Sequence, residues 1–292
     1  MSANQRNELE PQEHEAVEPE LMAIHQGLLW LHNREATLLK AAPTKANSIN
    51  ATNFLSTQAV MFADAALVLM GAAQQPLGVP VALLRTCLEA QARSNHIIAT
   101  KGVAREALAD ELVQLMDLGH QYYEKKVIAL SKDLVDDPTK LMSRDRAYAP
   151  SMKFLYDQTD LSNLKVLKKT YDDLSRKWTY GIVVERQKFK DPSVLSRSEA
   201  QPLQPALDLT YTQCCAFVHS DPVSIRHQSL LTKVGVAYTL VLSELIAVMC
   251  FFTALGKESD PDLITLKKTL KAFDVNEKVL PKAALPSQPL ST

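Results

Sequence analysis

Apolar side chains recur every three or four residues along most of the chain, within long segments that contain no proline. One stripe runs through Leu84, Cys87, Leu88, Gln91, Asn95 and Ile98, and another through Leu108, Leu112, Leu115, Gly119 and Tyr122. Because an α-helix turns once every 3.6 residues, this spacing places such side chains on one helix face. The pattern predicts helices over 20–41, 47–73, 80–101, 103–131, 161–189, 204–219, 222–256 and 261–273.

The predicted fold class is all-α: a single bundle of about eight helices that spans residues 20–275. Sustained strand alternation is absent, and only 8 of the 292 residues are glycine, which disfavours many-stranded sheets and glycine-rich nucleotide-binding loops. Prolines and aspartates predict connections at 132–160 and 190–205, and Gly181 could break the helix over 161–189. Outside the bundle we expect a disordered acidic tail at 1–19 and a proline-rich tail at 276–292.

The segment Val234–Leu255 is apolar enough and long enough to cross a bilayer. Its single charged residue is Glu244, near the middle, where an acid costs roughly 3 kcal/mol in lipid. We therefore expect this segment to be the central helix of a soluble bundle, surrounded by other helices, and we expect no membrane partner. In that position Glu244 needs a buried partner.

Composition and cysteine usage indicate the cytoplasm. Residues 1–20 lack the basic start and the apolar run of a secretory signal. The four cysteines include no C-x-x-C pair, so a disulfide framework is not expected. The net charge of −1 does not itself point to nucleic acid. Only Cys215 and His219 have the spacing of metal ligands and no second pair exists, so we expect neither a metal nor a cofactor.

A polar stripe follows Pro80, which is well placed in the first turn of a helix. Arg85, Glu89, Arg93 and His96 are separated by four, four and three residues, so they lie on one helix face. One interpretation is a solvated face with ion pairs worth ~0.3–0.5 kcal/mol each. The other is that Arg85 and Glu89 point into a polar pocket between helices.

A second polar stripe contains Tyr211, Cys215 and His219, which are spaced four residues apart. His219 falls at the predicted end of a helix, and Arg226 lies in the first turn of the next. One interpretation is structural: His219 packs at the C-terminal end of a helix, where the helix dipole favours its protonated form. A Cys–His nucleophile pair is the alternative, although the sequence offers no third group to orient the imidazole.

A basic stretch covers residues 140–190, with twelve Lys or Arg against six Asp or Glu. Tyrosine, phenylalanine and tryptophan are interleaved with these cations, a combination that can hold a phosphate backbone and stack bases. The candidate nucleic-acid residues are Lys165, Lys168, Lys169, Arg176 and Lys177. The alternative is a peripheral helix whose aromatic side chains face the core and whose lysines only face water.

The first two stripes together resemble an uncharacterised bacterial family of all-helical proteins. The similarity rests on a Leu-Leu-Arg-x-x-x-Glu-Ala helix followed by a Tyr-…-Val-His-Ser segment and an apolar helix. The matching residues are Leu83, Leu84, Arg85, Glu89, Ala90, Tyr211, Val218, His219 and Ser220. That family is similar in outline to the HEPN superfamily of helical bundles, which includes RNA-cleaving toxins and defence proteins.

The resemblance implies an RNA-directed protein of bacterial stress or phage defence. The HEPN nuclease motif consists of an Arg and a polar residue at a set distance before a His on one helix, and no His of this sequence has an Arg at that distance. Cleavage would therefore require Arg85 and His219 from separate helices, with His219 as acid or base, Arg85 stabilising the phosphorane and Glu89 orienting them. The alternative is a non-catalytic homodimeric interaction module whose buried polar cluster gives packing specificity.

Overall fold

The structure, a computed structural model, describes residues 17–42, 46–71, 78–132, 149–187, 197–218 and 232–275. These residues form ten helices and contain no strand, which confirms the all-α prediction for this part of the chain. The helices are α1 Pro19–Ala41, α2 Asn47–Gly71, α3 Gly78–Ala99, α4 Val103–Leu130, α5 Ala149–Gln158, α6 Leu164–Lys177, α7 Tyr180–Gln187, α8 Arg197–Val218, α9 Lys233–Ala254 and α10 Pro261–Val275.

Helices α2, α3 and α9 pack against one another to form the centre of the bundle. α9 is apolar on almost every side because α1, α2 and α3 surround it, and its buried side chains run from Val236 to Phe252. Thr232 caps this helix by accepting a hydrogen bond from the backbone N–H of Gly235 at 3.0 Å. The prediction of a central apolar helix is therefore confirmed over 233–254.

Two helices, α2 and α9, meet the length and apolar composition of a membrane span. Of the most apolar 18-residue window in each, 83% is buried in α9 and 44% in α2. The apolar character of α9 is thus accounted for by burial against other helices. On α2, the large apolar side chains of Phe54, Met61 and Val68 are exposed.

Three boundaries differ from the sequence-based expectations. α5 lies inside the predicted connection 132–160, because Pro150 occupies the first turn, where its missing N–H costs nothing. The predicted helix 161–189 is divided into two helices. The break is at Trp178, before Gly181, and the Trp178 ring is buried there. α8 begins at 197 and contains Pro202 and Pro205, which the sequence places in the connection 190–205; each proline removes one hydrogen bond from the helix.

The periphery is formed by α4 to α7. α6 packs mainly on α4 and, more weakly, on α7, so most of its surface faces outward. A Cβ at Gly119 of α4 would lie 3.0 Å from Cε2 of Tyr171, so this glycine permits the two helices to approach closely. Of the predicted tails, the described residues are 17–19 only, where Val17 is buried and Pro19 begins α1.

Candidate functional site

The structure brings together three residues of the two polar stripes: Arg85 and Glu89 on α3, and Tyr211 on α8. Nε of Arg85 donates to Oε1 of Glu89 at 3.2 Å, and the hydroxyl of Tyr211 donates to the same oxygen at 3.0 Å. The guanidinium of Arg85 lies 5.8 Å from the centre of the Tyr211 ring. Glu89 thereby links α3 to α8.

Two further contacts fix this Glu89 cluster, which we define as Arg85, Glu89, Arg93 and Tyr211. Arg93 donates to Oε2 of Glu89 at 3.5 Å and to the backbone carbonyl of Trp178 at 3.1 Å. Tyr180 stacks on Tyr211 with ring centres 3.8 Å apart. The side chains of Arg85 and Glu89 are 27% and 22% exposed, so the cluster is neither a solvated face nor a fully buried site.

Burial keeps the Tyr211 hydroxyl and the Cys214 thiol in their neutral forms. Burial, reinforced by the neighbouring Glu89 carboxylate, raises the pKa of Tyr211, so its phenol acts as a hydrogen-bond donor. Burial also raises the pKa of the Cys214 thiol to about 12. A thiol held protonated is a poor nucleophile, so Cys214 is not an activated nucleophile.

Two of the predicted site residues, His219 and Arg226, lie outside the described residues. Helix α8 ends at Val218, immediately before His219. The contact of His219 with Arg85 therefore stays a prediction.

The predicted nucleic-acid residues lie together on α6, and we call Lys165, Lys168, Lys169, Arg176 and Lys177 the basic face. All five side chains are exposed. Three of them line a groove of about 780 Å³ between α4 and α6, whose other lining residues are Gln114, Val166, Thr170, Asp173 and Leu174. The basic face thus includes a concave surface and not only a convex helix.

Two cations of the basic face have acidic partners among the described residues, and three do not. Lys168 pairs with Asp172 at 2.7 Å, and Lys177 pairs with Glu111 at 3.1 Å. Lys165 and Lys169, one turn apart on the groove wall, form no ion pair with any described residue. Together with the exposed Arg176, which also forms no ion pair with a described residue, they can bind an external anion.

The aromatic side chains of the basic stretch divide between core and surface. Trp178 and Tyr180 are buried, and Tyr171 packs beside Tyr122 with ring centres 5.7 Å apart. Phe154 is exposed on α5. The sequence did not single out Tyr123 of α4, which is 51% exposed and contacts Tyr171 in the middle of α6 and Lys126 on its own helix.

A second polar cluster, which the sequence did not identify as a unit, lies among α1, α2 and α9. His25 is fully buried; its Nδ1 lies 2.9 Å from Oε2 of Glu244, and its Nε2 lies 3.1 Å from Oδ1 of Asp64. Glu244 is also fully buried, and its Oε1 accepts no hydrogen bond from the described residues. The buried partner expected for Glu244 is therefore His25, and the signal was the charge inside an apolar run.

Burial shapes the protonation of this second cluster. It raises the pKa of Glu244 to about 7, against the opposing hydrogen bond from His25. Burial opposes protonation of His25, but its bonds to Glu244 and Asp64 outweigh that effect and raise its pKa. His32 lies about two turns further along α1 and is hydrogen-bonded to the hydroxyls of Ser56 and Thr57, and burial lowers its pKa to about 4.

Within the described ranges, no group of three or more His, Cys, Asp or Glu side chains is arranged to hold a metal ion. Comparisons with known proteins identify no matching family model, no matching curated protein and no matching solved structure.

Proposed function

We propose that this protein binds single-stranded RNA through the basic face of α6. The observation that carries the proposal is the groove between α4 and α6, lined by Lys165, Lys169 and Lys177. Two of these ammonium groups have no ion-pair partner among the described residues, so binding a phosphate does not require an existing pair to break. A groove with closely spaced cations follows a phosphate backbone without reading its sequence.

An exposed aromatic ring on α4, the helix on which α6 packs, favours a single strand over a duplex. Tyr123 offers a half-exposed face, and Nζ of Lys126 lies 5.8 Å from its ring centre. Bases of a single strand are free to stack on such a ring, at ~1–3 kcal/mol per base, whereas paired bases are not.

The resemblance to the bacterial helical family and, more distantly, to the HEPN superfamily also supports an RNA-directed function. On that basis we place the protein in the bacterial cytoplasm, in stress or phage defence. We assign the binding role to the basic face and leave cleavage as a testable addition. Cleavage would require His219 to act with Arg85, whose guanidinium is already engaged by Glu89.

The binding test uses the full chain and a fluorescent 12-nucleotide uridine strand, with affinity measured over a range of salt concentrations. The variant Lys165→Gln/Lys169→Gln should bind at least tenfold more weakly. Its log–log salt slope should fall by about 1.4, because each single-strand phosphate contact contributes roughly 0.7. The matched control is Lys267→Gln/Lys271→Gln on α10. Equal losses in both variants, or no loss in either, would contradict the assignment to α6.

A cleavage test follows the length of the same strand by gel electrophoresis. If the chain is a ribonuclease with the predicted site, the wild type shortens the strand. His219→Gln then leaves it intact and retains binding. An intact strand with the wild type restricts the function to binding.

The outward face of α2 favours a second candidate, the non-catalytic homodimeric module. Phe54, Met61 and Val68 are exposed and seven residues apart, so they form one apolar stripe along α2. Asp64 is the only charged residue of the whole helix. A second copy of this helix would cover the stripe without bringing many like charges together.

Sedimentation of the full chain tests this second candidate. The wild type should sediment as a dimer, and Met61→Glu should sediment as a monomer, because the exposed substitution would put a charge in the centre of the stripe. Its circular dichroism should stay that of the wild type. A monomeric wild type at 50 μM protein would contradict this candidate, and RNA-independent dimers without RNA binding would favour it over the first.

A further inference from the structure

The N-terminal segment is acidic, whereas the exposed side of α6 is basic. The proposed function gives a role to the basic side only. The segment 1–16 contains Glu8, Glu10, Glu13 and Glu15 against a single cation, Arg6. The basic face of α6 carries five cations, and only two acids, Asp172 and Asp173, lie on the same helix. We propose that the acidic segment 1–16 docks on the basic face and competes there with RNA. This inference rests on the proposed function.

The groove has features that suit the acidic segment. Lys165 and Lys169 form no ion pair with any described residue, so carboxylates of the segment can bind them directly. Val166 and Leu174 add apolar surface to the same groove. In the segment, Leu9 lies between Glu8 and Glu10, so that an apolar side chain is flanked by two carboxylates. The apolar and charged groups on the two sides are therefore complementary.

The length of the segment allows this contact. It precedes α1, and sixteen residues can extend at most about 50 Å at roughly 3.3 Å per residue. α4, the helix that supports the basic face, has 28 residues and is therefore about 42 Å long. The reach of the extended segment therefore exceeds the length of the helix on which α6 packs.

Tethering makes weak contacts effective. A segment attached to the same chain meets the basic face at an effective concentration on the order of millimolar, so that even modest intrinsic affinity occupies the site. RNA then binds only to the fraction of molecules in which the site is free, and its apparent affinity falls by that fraction. The segment thus sets a threshold: a strand with more phosphate contacts displaces it, and a short strand does not.

Another cationic helix provides the competing docking site and the matched control. α10 carries Lys267, Lys268 and Lys271 and packs beside α1, where the acidic segment joins the bundle. A contact driven by proximity alone would fall on α10. A contact driven by the groove falls on α6.

The first experiment is carbodiimide cross-linking of the full chain, followed by peptide mass spectrometry. The reagent joins carboxylates to amines that are in contact, and the ion pair between Glu111 and Lys177 serves as an internal positive control. We expect links from Glu8, Glu10, Glu13 or Glu15 to Lys165, Lys168 or Lys169. Links to α10 alone, or no links from the segment while the internal control is formed, would overturn the docking proposal.

The second experiment measures RNA affinity with the same 12-nucleotide uridine strand. Replacing the four glutamates of the segment by glutamine should tighten binding by about two- to tenfold. The gain should disappear in the Lys165→Gln/Lys169→Gln background and should persist in the Lys267→Gln/Lys271→Gln background. Unchanged affinity in the glutamine variant would overturn the competition even if cross-links form.

The two experiments separate the proposals from each other. If no variant binds RNA, the proposed function fails, and cross-linking still decides whether segment 1–16 docks on α6. If RNA binds equally with and without the four glutamates, the proposed function stands and the competition is wrong.

Discussion

The His25–Glu244 cluster and the Glu89 cluster contain similar chemistry in different surroundings. In the first, His25 and Glu244 are fully buried, and His25 contacts carboxylates from two other helices. In the second, the side chains of Arg85 and Glu89 keep about a quarter of their surface exposed. Water compensates a broken contact at the Glu89 cluster, but it cannot reach a broken contact between His25 and Glu244.

This difference decides which cluster determines stability and which one tolerates change. A charge without water needs its protein partner, so removal of one member of a buried pair leaves an uncompensated group. A charge with partial access to water loses only the contact itself. The largest effects of substitution should therefore come from α1 and α9, and smaller ones from α3 and α8.

The largest effect is expected for His25→Leu. Glu244 would lose its donor while staying buried, and the unfolding free energy should fall by ~3–5 kcal/mol. Urea unfolding monitored by circular dichroism measures this loss, with His120→Leu on the exposed side of α4 as the control. The pair His25→Leu/Glu244→Leu should recover part of the stability. A loss below ~1 kcal/mol for His25→Leu would remove the distinction between the two clusters.

The second effect is a pH dependence with opposite contributions from two neighbouring sites. The pKa of Glu244, raised by burial to about 7, means that the folded state holds this proton more firmly than the unfolded chain. Its contribution to stability therefore decreases as pH rises from about 4.5 through 7, and His25 contributes in the same direction above about 6.5. The pKa of His32, lowered by burial to about 4, makes its contribution decrease as pH falls from about 6.5 to 4.

Two substitutions separate these contributions. Relative to the wild type, the stability of Glu244→Gln should rise with pH between 5 and 7, by up to ~1.4 kcal/mol per pH unit. Relative to the wild type, the stability of His32→Gln should fall over the same range. Urea titrations at half-unit pH intervals provide the measurement. Parallel pH profiles for all three proteins would contradict the assignment of the two opposing slopes.

The smallest of these effects is expected for Arg85→Met. The variant loses an ion pair with Glu89 that is about one quarter exposed and a cation–π contact with Tyr211, together ~1–2 kcal/mol. A double-mutant cycle with Glu89→Gln should give a coupling energy of ~0.5–1 kcal/mol. A loss of 3 kcal/mol or more would show that this cluster behaves as a buried one.

Local spacing predicts contacts within a helix, and it does not predict contacts between helices distant in sequence. The four-residue step from Arg85 to Glu89 predicts their ion pair directly. The need of Glu244 for a partner also follows from the sequence, because an acid inside an apolar helix must be compensated. The identity of that partner does not follow, since His25 is 219 positions away and only the packing of α1 on α9 brings them together.

Proline explains why one helix was missed and another was shortened. Prediction from the sequence treats every proline as a helix breaker. The free-energy cost of a proline, however, depends on its position in the helix. Pro150 falls in the first turn of α5, where that cost vanishes, and the segment therefore folds as a helix. Pro202 and Pro205 predict a connection at 190–205, but α8 continues through both prolines.

The peripheral position of α6 affects which parts of the sequence can change during evolution. α6 rests mainly on α4, and apart from Leu174 its side chains are at least partly exposed. Substitutions along its outer side therefore leave the packing of α2, α3 and α9 unchanged. Changes in the length, charge or sequence of this helix should therefore cost little folding free energy. New binding specificities should arise on α6 first, while α2, α3 and α9 diverge slowly.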